Sequence, residues 1–228
     1  MKHLLAASAL LALCACATAP ALPPPASVVA GIDGFGVLGQ PPAAGSAQQA
    51  GDDAAARGPW TPERTAQAAA DDAVDPWVAF SSVLGADFTA ANYPATKALF
   101  DQYLADVGPA IGATKAHWQR PRPFIVNPAQ PTCITPTALL RASGAYPSGH
   151  AALGWGWALL LAEVAPDKGD ALLHRGFEYG ESRVVCGVHW ASDVLAGRNL
   201  GAAAVARLHG DPGSRALLDA ARAEFAAH

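Results

Sequence analysis

From Ala151 to Ala162 the chain reads AALGWGWALLLA, without a single charge. A helix that is apolar on every side has no face to offer water and must be enclosed by other elements. At roughly a dozen residues the run is well short of the ~20 that a membrane-spanning helix needs. It is therefore read as the buried central helix of a soluble domain, capped by Ser148 and extending from Gly149 to about Val164. Gly154 and Gly156 on it would let neighbouring elements approach closely. The remainder of the chain has to supply the shell.

That shell reads as helices. Thr61-Pro62-Glu63 carries a cap followed by a proline suited to the first helical position, Asp75-Pro76-Trp77 opens a short helix to Val83, and apolar residues recur at helical spacing from about Pro94 to Trp118, with a kink or join expected at Gly108-Pro109. Pro166 opens a helix to around Arg183. Two more run from His189 to about Leu208 and from Pro212 to about Ala226. Between them, five prolines from Pro121 to Pro136 make Arg120 to about Thr135 a loop, the kind of segment on which binding groups sit. No strand-like alternation and no internal repeat is present. With 228 residues, 51% hydrophobic and only 15% charged, the chain suits one all-α domain, a single-domain multi-helix bundle.

The N-terminus stands apart from this bundle. A basic start, Met1-Lys2-His3, precedes the apolar run Leu4 to Leu13, the pattern of a secretory signal peptide over residues 1–17. Two processing routes are open: cleavage after Ala15-Cys16-Ala17, or a lipoprotein-type box in which Cys16 is lipidated and the protein is anchored to a membrane by its N-terminus alone. Residues 18–58, rich in Pro, Ala and Gly, are expected to form a tether and an extended strap over a domain spanning residues 59–228. An exported chain reaches an oxidising compartment, where Cys133 and Cys186 read as a disulfide, the alternative being two buried thiols. The expected location is periplasmic or secreted. A net charge of −4 leaves no electrostatic footprint for nucleic acid.

Three separated clusters carry chemistry suited to phosphoryl groups. Lys115 and Arg122 place two cations across a helix end and a rigid Pro turn. Ser148, Gly149 and His150 put a hydroxyl, a bare backbone amide and an imidazole at a helix start, where free N–H groups and the helix dipole favour an anion. Arg183, His189 and Asp193 follow in the stretch SRVVCGVHWASD. If that stretch is helical from His189 onward, Asp193 lies one turn on, about 5–6 Å away, and can fix the imidazole's tautomer. Singly, each cluster is commonplace: surface cations, an N-cap, a capping histidine. Their order and spacing together are not. His117 lies beside Lys115 without a spaced partner and is set aside.

The combined pattern, KxxxxxxRP, then PSGH, then SRxxxxxHxxxD, resembles the type 2 phosphatidic acid phosphatase superfamily, which includes the vanadium haloperoxidases. Within it, LGQPPAAGSAQQAGD, RPRPF, GAYPSGHA and SRVVCGVHWASDV make the chain similar to bacterial class A non-specific acid phosphatases. One departure is that Ala145 and Ala151 stand where the family's usual GSYPSGHT has hydroxyls. The resemblance implies a broad-specificity acid phosphatase acting on small phosphate monoesters without a metal or other cofactor. It implies His189 as nucleophile forming a phosphohistidine, Asp193 orienting it, and His150 as the acid and then the base, a role suited to mildly acidic pH where His150 carries a proton. Lys115, Arg122, Ser148, Gly149 and Arg183 would hold the phosphoryl oxygens. Phosphate transfer to other alcohols and a homo-oligomeric state are further implications. The rivals are a vanadate-dependent haloperoxidase, whose relatives are much longer, and a membrane lipid phosphatase, which needs several spanning helices. A non-catalytic phosphate-binding lipoprotein would need the cations without both histidines.

Overall fold

The computed structural model describes residues 31–228. The leader at residues 1–17, both processing junctions with Cys16, and residues 18–30 of the tether lie outside the described residues. Among the described residues every regular element is helical: α1 (Gly34–Leu38), α2 (Ala47–Arg57), α3 (Pro62–Ala70), α4 (Pro76–Leu84), α5 (Pro94–Trp118), α6 (Pro123–Val126), α7 (Ala138–Ala142), α8 (Gly149–Val164), a 3-10 turn (Pro166–Lys168), α9 (Gly169–Val185), α10 (Ala191–Gly210) and α11 (Pro212–Phe225). No helix among them is long and apolar enough to cross a membrane.

The start signals act as polar groups at helix ends should. The first amides of a helix lack intrahelical acceptors. Thr61 Oγ1 accepts from the Arg64 amide at 3.2 Å, Asp75 Oδ1 from Trp77 at 2.8 Å and Asp211 Oδ2 from Ser214 at 2.7 Å. Each of these caps precedes a proline in the first turn, where its missing N–H costs nothing.

α8 is the centre of the molecule. Ala151, Ala152, Ala158, Leu160 and Leu161 on it are completely buried, with α9 and α10 along its sides and α5 and α11 completing the enclosure. Tyr103 of α5, also fully buried, satisfies its hydroxyl by donating to the Ala152 carbonyl at 2.7 Å. The two glycines of α8 are where the ring systems of the neighbours lie: a Cβ on Gly154 would meet Tyr179, and one on Gly156 would meet Tyr103.

The strap lies on the bundle. Ile32 enters the main core and α1 packs against α5 and α10. It is not extended throughout, because Asp33 and Ser46 each cap an amide two or three residues on and so start α1 and α2. Two other boundaries also differ from the pattern-based expectation. The proline-rich loop after Arg120 contains one helical turn, α6, with Pro123 at its first position. α5 runs without interruption through Gly108-Pro109. A disulfide joins Cys133 to Cys186 across a sequence separation of 53, which restricts the unfolded chain by about 4 kcal/mol on a loop-entropy estimate. It ties the loop preceding α7 to the end of α9.

The close approach of α5 to α8 is testable. In Gly156→Ala the new Cβ would stand 2.0 Å from the Tyr103 ring and hydroxyl, so overpacking of ~1–3 kcal/mol should exceed the ~1 kcal/mol that alanine gains in a helix interior. The urea midpoint should fall. A midpoint that rises would show that Tyr103 gives way freely.

Candidate active site

His189 does not lie inside a helix. α10 begins at Ala191 with Trp190 as its cap residue, and Asp193 is the third helical residue. Asp193 Oδ2 accepts the Trp190 amide at 2.9 Å and lies 3.2 Å from His189 Nδ1. The imidazole and carboxylate meet as expected, but through a capping arrangement rather than along a helix face. The carboxylate's other oxygen accepts from Arg120 Nη1 at 2.5 Å. Asp193 is completely buried, and that burial raises its carboxyl above the usual range, although the Arg120 guanidinium pulls the other way.

A carboxylate only accepts, so the proton of His189 sits on Nδ1 and the lone pair on Nε2. Nε2 stands 2.9 Å from Arg122 Nη1. Burial pushes the basicity of His189 far down, and Arg122, Lys115, Arg183 and His150, in that order, push it further. Four groups from three remote segments therefore crowd one neutral ring.

Each cation arrives by a different route. Lys115, in the last turn of α5, donates to the carbonyls of Gly144 at 2.6 Å and Ala145 at 3.4 Å, and burial next to Arg122 lowers it to about 7. Arg122, capping α6, donates to the carbonyls of Val188 at 2.9 Å and Ser143 at 3.2 Å, and to the Ser143 hydroxyl at 3.0 Å; burial lowers it to about 10. Arg183, near the end of α9, is completely buried and pairs through Nη2 with Asp72 Oδ1 at 2.8 Å. Its Nε and Nη1 have no partner among the described residues, and a buried donor left unmet is costly. An anion is what this set of donors lacks.

Ser148 caps α8, its hydroxyl accepting from the Ala151 amide at 3.3 Å while its own amide donates to the Asp193 carbonyl at 2.9 Å. The starts of α8 and α10 are thus joined, which sets the Gly149 amide and His150 beside the His189 segment. His150 Nε2 lies 3.0 Å from the Asp72 carbonyl, and its ring stacks on Tyr179 with centroids 5.9 Å apart. Burial first, then the Arg183 charge, lowers His150 to about 4. Against the expectation of a protonated His150 at mildly acidic pH, burial and the Arg183 charge hold the ring's basicity below that range. His117 packs instead against Phe35 and Trp118.

Other residues join the assembly without having been singled out, although Gln49 and Asp52 lie in LGQPPAAGSAQQAGD, Arg120 in RPRPF and Ser192 in SRVVCGVHWASDV. Arg120, Asp52, Gln49 and Ser192 form a network behind Asp193. Asp71 pairs with Arg175 and accepts from Ser182, next to Arg183. Arg120 could have been noticed as the first basic residue of RPRPF. Asp52 closes LGQPPAAGSAQQAGD, a motif that assigns no role to any one residue, and the Asp71-Asp72 pair lies in an Ala-rich stretch that gives no signal. Among the described residues no three His, Cys, Asp or Glu side chains gather as a metal site.

Residues 98–213 match the PAP2 superfamily, and the chain belongs to that family. It is 41% identical over 150 residues to a non-specific acid phosphatase of Providencia stuartii, a match covering 65% of this chain and 60% of that one. It is 40% identical over 147 residues to an acid phosphatase of Zymomonas mobilis, covering 64% and 55%, and 39% identical over 147 residues to a non-specific acid phosphatase of Salmonella typhimurium, covering 64% and 59%. The match thus spans less than two thirds of the length of these relatives.

Lys115 makes anion binding depend on pH in a definite direction. Its conjugate acid, depressed to about 7, is charged below that pH and loses its charge above it. Sulfate keeps a constant charge over this range, so its affinity should weaken about tenfold between pH 6 and 8 by proton linkage. Calorimetric titration checks this, with Lys115→Met expected to bind more weakly and with a shallower slope. Equal sulfate affinity at both pH values in the unaltered chain would contradict it.

Proposed function

We propose that the chain hydrolyses phosphate monoesters as a broad-specificity acid phosphatase, without a metal, through a phosphohistidine on His189. The observation that carries this reading is the state of His189: Nδ1 held by Asp193, and Nε2 facing Arg122 at 2.9 Å, with the charges of Lys115 and Arg183 also acting on the ring. The acid phosphatase names of relatives near 40% identity support the substrate class.

The reaction follows from the charges. The ester's phosphoryl oxygens take the donors of Lys115, Arg122 and Arg183, with the Ser148 hydroxyl and the Gly149 amide at the positive end of α8. The Arg122 contact to Nε2 gives way to a phosphoryl oxygen, freeing the lone pair for in-line attack. Nε2 bonds to phosphorus as the bond to the leaving oxygen breaks, and His150 gives that oxygen its proton. Water then attacks the phosphohistidine and yields its proton to His150, releasing phosphate and neutral His189. Most of the acceleration in such a transfer comes from positioning and charge. An alcohol in place of water would give phosphotransfer.

Burial first, and then the surrounding cations, hold His150 near 4 and keep His189 neutral. A bound phosphate dianion offsets their charge, so His150 gains its proton only when there is a leaving group to receive it. Asp193, facing Nδ1, stabilises the cation that attack creates.

The leader-like sequence at residues 1–17 and the Cys133–Cys186 disulfide support export, with the activity in the periplasm or outside the cell and a lipid at Cys16 as the alternative to free release. Small phosphate esters are its partners. Assembly into a homo-oligomer belongs to the same reading.

His189→Ala should lower phosphate release about 10³-fold or more; near-normal turnover would refute the nucleophile. His150→Ala should slow alkyl phosphates about 10²-fold or more while slowing p-nitrophenyl phosphate far less, since nitrophenolate leaves without a proton. Equal losses on both esters would remove His150 from the acid role.

A further inference from the structure

Asp52 lies 137 residues before His189 in the Ala- and Gly-rich strap, on α2, yet it is only 4% exposed. Its Oδ1 accepts the Ser192 amide at 2.9 Å. Its Oδ2 accepts the Ser192 hydroxyl at 2.5 Å and Arg120 Nη2 at 2.8 Å. Arg120 Nη1 in turn donates to Ser192 Oγ at 2.7 Å and to Asp193 Oδ1 at 2.5 Å. Gln49, also on α2, supplies a second acceptor for Nη2 at 2.7 Å. The path therefore runs Asp52, Arg120, Asp193, His189, every step a direct contact between buried side chains.

We propose that Asp52 is a positioning residue for the reaction at His189, acting through Arg120 and Ser192 on the Asp193 carboxylate, so that the strap helix is part of the active site. This rests on the phosphatase reading above. Two effects carry it. The first is geometric: the guanidinium is planar and gripped from both sides, so it presents a fixed fork to Asp193 and hence a fixed Oδ2 to the imidazole. The second is charge. Two carboxylates around one guanidinium leave a formal net charge of one negative unit beside a ring that becomes cationic on attack. Without Asp52's charge, Arg120 would cancel Asp193 and the developing imidazolium would face a neutral pair in a low-dielectric interior, where such differences are amplified. Asp52 bonds to neither Lys115, Arg122 nor Arg183, so substrate binding should be left alone.

A merely structural role, the strap pinned by a buried ion pair, makes a different forecast, and a double-mutant cycle separates the two. In the full chain, Asp52→Asn should lower kcat for p-nitrophenyl phosphate about 10–100-fold, as loss of outer-shell support commonly does, with KM within about twofold. In an Asp193→Asn background the same change should lower kcat by less than about threefold, because the route is already cut. Asp52→Asn with kcat within about twofold of the unaltered chain, or equal factors lost in both backgrounds, would overturn the proposal. Should Asp52→Asn not fold, Ser192→Ala removes one donor to Asp52 and should show the same coupling with a loss of about three- to tenfold; equal losses in both backgrounds would again overturn it.

A second readout needs no turnover. The Nδ1–H of His189 should give a downfield proton resonance that vanishes in His189→Ala and is displaced or lost in Asp52→Asn. An unchanged resonance in Asp52→Asn would overturn the relay. No phosphate release by the unaltered chain would instead overturn the phosphatase reading, and the resonance would still decide the relay.

Discussion

Three cations buried side by side repel one another and lose their hydration, and the molecule around them is arranged to bear that burden. Lys115 and Arg122 are held by backbone carbonyls at Ser143, Gly144, Ala145 and Val188. Arg183 has a partner only on one side, in the half-exposed Asp72. The acceptors are mostly dipoles rather than full charges, so the pocket stays short of negative charge. Such a pocket selects its ligand by what it lacks. Its two unmet guanidinium donors and its depressed lysine are the same shortage seen in hydrogen-bonding and in acid–base terms.

The helices serve to bring the cations to one place. Lys115 ends α5, Arg183 nears the end of α9, and α8 and α10 begin side by side, joined by the Ser148 amide to the Asp193 carbonyl. α5, α9 and α10 each pack on α8, and the apolar surface of α8 obliges them to, since each must cover part of it. The hydrophobic requirement of one helix and the electrostatic requirement of the pocket are met by the same packing.

Much of this was legible in the residues. The dozen uncharged positions of α8, the Thr61, Asp75 and Asp211 caps and the three spaced motifs identified the bundle and its pocket, because each depends on local rules or on a fixed spacing. What stayed hidden depends on tertiary structure alone. Asp52 gains its meaning only when α2 lies against Arg120. Its place at the end of LGQPPAAGSAQQAGD gives it no role by itself, and Asp53 beside it instead accepts from Gln49 on its own helix. The strap's helices escaped notice because proline and glycine around them speak for extended chain, while single caps at Asp33 and Ser46 suffice to start a turn or two. The lowered basicity of His150 was hidden for the same reason: an isolated histidine titrates near 6.5, and only burial in the fold, with the Arg183 charge added to it, moves it.

The position of Asp193 at the third residue of α10 has a consequence for how the molecule should be studied. One carboxylate closes the first turn of a 20-residue helix and also steadies the imidazole, so any replacement there loosens two things together. A slowed rate after altering it would mix frayed backbone with lost chemistry, and would overstate the residue's share in catalysis. Conversely, heat or denaturant that unwinds only that first turn should release the His189 ring well before the bundle itself comes apart.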